Sequence, residues 1–85
     1  MLSNMPEIFR FFGFSFFFYS REHEPLHVHI EGKGGMAKFD LEGNEFVPKT
    51  VYNIKKKDLN NIKQVIDDNK DIIIKHWNEY FAKEE

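Results

Sequence analysis

The sequence predicts an α+β fold, an antiparallel sheet of about four strands, opening with a β-hairpin, with a long C-terminal helix packed on one face. Three observations carry this. Apolar residues alternate with polar ones between Ile8 and Leu41, glycine and polar turn residues recur between the alternating runs, and apolar spacing changes to three and four after Leu59.

Seven phenylalanines sit within the ten positions from Phe9 to Phe18. Gly13 divides this run into two strands, Ile8–Phe12 and Phe14–Ser20, which read as a tight hairpin or as one long bent strand. Phe14, Phe16 and Phe18 share one face, and Ser15, Phe17 and Tyr19 the other, so aromatic rings occupy both. One face must meet the helix; the other is covered by loops or by a partner. Glu22 to Pro25 is a polar turn. Leu26 to Ile30 is a third strand, with Val28 and Ile30 on the core side and His27 and His29 on the opposite face, away from buried packing. Gly32, Gly34 and Gly35 form the next turn, without the strand–GxxxxGK[ST]–helix context of a phosphate loop. Met36 to Leu41 is a fourth strand, with Ala37, Phe39 and Leu41 alternating against Lys38 and Asp40. After a turn at Glu42-Gly43-Asn44, Phe46-Val47 starts a short edge strand that Pro48 limits.

Leu59, Ile62, Val65, Ile66, Ile73, Trp77, Tyr80 and Phe81 form one helical stripe, which Asn69 interrupts. This predicts one helix of about 25 residues kinked near Asn69, or two helices with a short joint. Ile72-Ile73-Ile74 widens the stripe and implies contact on more than one side of the second half. Trp77 and Tyr80 share the stripe and belong to packing rather than to a base-stacking platform; His76 is a half-exposed helical residue near the C-terminal end.

A chain of 85 residues makes one domain, here an extension over 1–5 and a single α+β domain over 6–85. A domain this small buries only about 60–65% of its unfolded surface, and its ten phenylalanines offset that. The absence of cysteine excludes disulfides, thiolate zinc sites and cysteine nucleophiles, and suits a reducing cytoplasm, the expected compartment. No charged region followed by an apolar segment opens the chain, so no signal peptide is expected. The Phe-rich run, interrupted by Arg10 and Ser15, is too short to span a membrane. The net charge of −2 gives no global basic field for nucleic acid. Lys49, Lys55, Lys56 and Lys57 form a local basic patch, read first as a solvated helix start and second as a phosphate contact.

Met5-Pro6-Glu7-Ile8-Phe9-Arg10-Phe11-Phe12-Gly13-Phe14, Phe16-Phe17-Phe18-Tyr19-Ser20, Glu22-His23 and Pro25-Leu26-His27-Val28-His29 together resemble a small prokaryotic family catalogued as domain of unknown function 4160. Ala37-Lys38-Phe39 and Trp77-Asn78-Glu79-Tyr80-Phe81 also fit its pattern, so the resemblance covers nearly the whole chain from Met5. The resemblance implies no established activity. It implies a one-domain protein often encoded beside another small protein, an arrangement like a toxin–antitoxin pair. Two positions depart from the pattern: Asp40 stands where an aromatic is common, and Lys55 where a capping serine is usual, a weaker helix start by about 1 kcal/mol.

Three of the four histidines, His23, His27 and His29, fall within seven residues. On a strand the imidazoles of His27 and His29 leave the same face. With His23 they could ligate a divalent metal such as zinc, completed by Glu22 or Asp40, although HxH spacing alone is a weak signal and the metal is not favoured. They could instead serve as acid and base on RNA, with Arg21 or Lys38 at the phosphate and Tyr19 nearby. A binding role is the third reading: the histidines organise a loop with Glu22 and Glu24, and the surplus aromatic surface meets a protein partner or a second copy. The sequence favours this interaction role, in a two-gene module, over an RNA-directed or metal-dependent hydrolase.

Overall fold

The computed structural model describes residues 7–18 and 26–82. Among the described residues five strands form a single antiparallel sheet in chain order, against the expected sheet of about four with only a short edge at Phe46-Val47: β1 Glu7–Phe11, β2 Phe14–Phe17, β3 His27–Gly32, β4 Gly35–Glu42 and β5 Glu45–Tyr52. Two helices follow, α1 Lys56–Asp68 and α2 Lys70–Ala82. The α+β class, the opening hairpin and the C-terminal helical layer stand as the sequence predicts.

The fifth strand is a full eight residues long. β5 runs straight through Pro48, because it is an edge strand and a missing backbone N–H there costs no ladder bond on its open side. The β4–β5 pairing also shifts register between Lys38 and Phe39, which admits Lys49 as an extra residue opposite them.

Tight turns set the registers. Phe11 pairs with Phe14 across Phe12-Gly13, and Gly32 with Gly35 across Lys33-Gly34. Both central residues of each turn have positive φ (54° and 81°; 52° and 78°), the type I′ pattern that matches sheet twist. At the β4–β5 turn Gly43 (φ 65°) precedes Asn44, the type II′ pattern.

The helical layer divides at Asn69, the second of the two alternatives offered by the sequence. The Asn69 N–H donates to the Val65 and Ile66 carbonyls (3.1 and 3.2 Å), and its side-chain amide to Val65 O (2.8 Å), closing α1. Ile73 N–H then donates to Asn69 O (3.0 Å) and starts α2. Lys55 is the N-cap of α1 and makes no side-chain capping bond.

One face of the sheet supplies Phe14, Phe16, Val28, Ile30, Ala37, Phe39 and Phe46, all buried; α1 adds Ile62, Val65 and Ile66, and α2 adds Ile73, Trp77 and Phe81. Leu59 and Tyr80 are partly buried against them. Ile72 is 48% exposed, so the triple-isoleucine run is not enclosed on several sides. No described helix is long and apolar enough to cross a membrane.

Candidate functional site

The side chains of alternate residues on β2, β3 and β4 project from the sheet face opposite the main core. Register places His27 beside Asp40 and His29 between Phe17 and Lys38. The result is a four-residue polar block, His27, His29, Lys38 and Asp40, on two adjacent strands. The histidine rings lie 5.2 Å apart, edge to face. Phe17 stacks on His29 at 5.7 Å, and Trp77 of α2 reaches the His27 ring at 5.7 Å.

Both histidines are buried, His27 to 4% exposure and His29 to 6%, which corrects the expectation that they stand clear of packing. The physical reason is position within the sheet. β3 is the middle of five strands, so a side chain there has neighbours on either side even on the face away from the main core. Alternation tells which face a residue takes, not how thickly that face is covered.

Lys38 Nζ lies 3.8 Å from Asp40 Oδ1. That carboxylate oxygen is buried and makes no hydrogen bond among the described residues. The block therefore combines two imidazoles, a carboxylate and an ammonium within one sheet patch, a set able to hold and pass protons. Among the described residues no three His, Asp or Glu side chains form an arrangement that holds a metal ion. His23, Glu22, Arg21 and Tyr19, the other members of the expected metal and proton-transfer sets, lie outside the described residues, as does Glu24.

The lysines of the expected basic patch sit on different elements. Lys49 belongs to β5, while Lys55 caps α1 and Lys56 and Lys57 open it. Lys49 pairs with Glu42 at 2.7 Å. That hydrogen bond, with the Glu42 charge, raises the ammonium pKa above the ordinary lysine value.

A second surface escaped sequence reading. At the β1–β2 turn Phe11 and Phe12 are 42% and 55% exposed, with ring centroids 6.2 Å apart. With Asn61, Gln64, Val65, Asp68 and Asn69 of the α1 end they line a notch of about 270 Å³. The signal was present: a two-residue I′ loop at Phe12-Gly13 removes Phe12 from strand alternation and directs its ring outward.

The chain belongs to the family described as domain of unknown function 4160, which matches residues 13–78. No curated protein and no solved structure matches it.

Proposed function

We propose that this chain is a protein-interaction component, working in the cytoplasm with a small partner encoded nearby in a two-gene, toxin–antitoxin-like module. The observation that carries the reading is the Phe11–Phe12 pair. Adjacent aromatic rings, each about half exposed, form an apolar knuckle beside a notch, and such groups are favoured at the centre of protein interfaces. Phe12 holds that place in a left-handed backbone conformation (φ 54°) that costs a bulky L-residue about 1–2 kcal/mol. Strain at a solvent-facing aromatic is well explained by a contact made outside the chain.

The test is co-expression with the product of the adjacent gene. Wild-type protein captures that product, and the Phe11→Ser/Phe12→Ser variant, folded by circular dichroism, loses most of the capture. Equal capture by both proteins would rule the surface out.

The block of His27, His29, Lys38 and Asp40 favours a second reading, a small hydrolase directed at RNA or dependent on a metal, with His23 joining the pair. It draws on the close His27–His29 and Lys38–Asp40 placements. The same preparations decide it: RNA left intact by wild-type protein, with and without added zinc, eliminates this reading.

A further inference from the structure

We propose that the notch between the β1–β2 turn and the end of α1 receives an arginine side chain of the partner. The inference rests on the reading of Phe11 and Phe12 as the contact surface and names what that surface grips.

Two of the three amides that line the notch, Gln64 and Asn69, each donate an N–H internally. Gln64 Nε2 donates to Asp68 Oδ1 (2.9 Å), and Asn69 Nδ2 donates to Val65 O (2.8 Å). A carboxylate and a carbonyl only accept, so these bonds fix both amide orientations and leave the Gln64 and Asn69 side-chain oxygens as acceptors. Asp68 adds a carboxylate that no lysine or arginine pairs with among the described residues. Its neighbours are engaged elsewhere: Lys63 binds Asp67 at 2.9 Å, and Lys70 donates to Asn44 O.

The helix end reinforces this charge. The last turn of α1 carries Asp67 and Asp68 and no basic residue. A helix C-terminus is the negative end of the dipole, where cations are favoured and carboxylates are not. The chain thus concentrates acceptors and helix-end negative potential around Asp68, the one carboxylate of this turn that no lysine or arginine among the described residues pairs with. The remaining wall is formed by the Phe11 and Phe12 rings, tilted at 39° to each other. Aromatic faces attract cations, and a guanidinium stacks flat against them. Its five donors meet the side-chain oxygens of Gln64 and Asn69, and its planar fork suits the open oxygen of Asp68. The notch, about 270 Å³, is large enough for that side chain.

The test uses capped Gly-Arg-Gly, its neutral citrulline counterpart and capped Gly-Leu-Gly, each titrated into the full chain and followed by NMR. The arginine peptide shifts the side-chain amides of Asn61, Gln64 and Asn69 and the backbone amides of Phe12 and Gly13. Citrulline, which keeps the shape and loses the charge, does not. Asp68→Asn weakens the arginine peptide about fivefold, in the range of one partly exposed ion pair. It leaves folding intact, since asparagine still accepts from Gln64 and removes a carboxylate from the wrong end of a helix. No shift with the arginine peptide, equal shifts with citrulline, or stronger binding of the leucine peptide would each overturn the proposal. Partner capture separates the two readings. If Phe11→Ser/Phe12→Ser abolishes capture while Asp68→Asn leaves it unchanged, the interaction surface stands and its arginine occupant falls. If the arginine peptide binds as expected but neither variant alters capture, the notch binds arginine and the partner reading falls.

Discussion

Two turns of nearly identical backbone stand side by side at one end of the sheet. Phe12-Gly13 and Lys33-Gly34 adopt the same pair of positive φ values, each with a non-glycine residue first. Their surroundings differ. The Lys33 turn is tied into the molecule: Asn53 Nδ2 donates to Gly34 O (2.9 Å), Lys33 Nζ lies 3.7 Å from Asp58, and it sits 5.4 Å above the Phe14 ring. Its strained backbone is thus offset by internal contacts. The Phe12 turn points two half-exposed rings outward. The same conformational cost is explained inside the fold in one case and, under the function proposed above, by a partner in the other.

The largest test of this contrast is Gly32→Ala. A Cβ at Gly32 would lie 2.3 Å from Gly13 O and 2.7 Å from Phe14, so it drives the two turns apart. Chemical denaturation should show a loss of about 2–3 kcal/mol, as for overpacked sites; a loss below half of that would mean the turns are not mechanically joined. Next comes Phe12→Asn. Asparagine tolerates the left-handed region, so thermal unfolding should show a gain of up to about 1 kcal/mol while partner capture drops. Clear destabilisation would instead make Phe12 a packing residue and erase the contrast. The smallest effect is for Lys33→Ala, about 0.5 kcal/mol, because its ion pair is long and its side chain is about half exposed. A loss above 1.5 kcal/mol, measured the same way, would show that the Phe14 contact carries more than a surface pair does.

The sequence made some of this legible and hid the rest for identifiable reasons. β3 and β4 were readable because Val28, Ile30, Ala37 and Phe39 alternate with polar residues and end in glycines. The helical stripe was readable too, and five of its eight members are nearly enclosed with Val65 close behind. Pro48 signals a break that limits β5 on sequence alone, whereas an edge position tolerates it. Alternation alone places His27 and His29 on the strand and the face that they occupy. Their burial depends on neighbours from β2, β4 and α2, which are distant in sequence. Aromatic composition favours a strand through Phe12, and the two-residue loop overrides that preference.

The sheet ends at β5 in a row of backbone groups that no other strand among the described residues covers. Open edges of this kind template stacking of one molecule on the next. Pro48 removes one donor from the middle of the row, and the irregular register at Lys49 twists the strand where a second sheet would have to align. A phenylalanine-rich chain thereby carries, on this border, its own obstacle to fibrous growth.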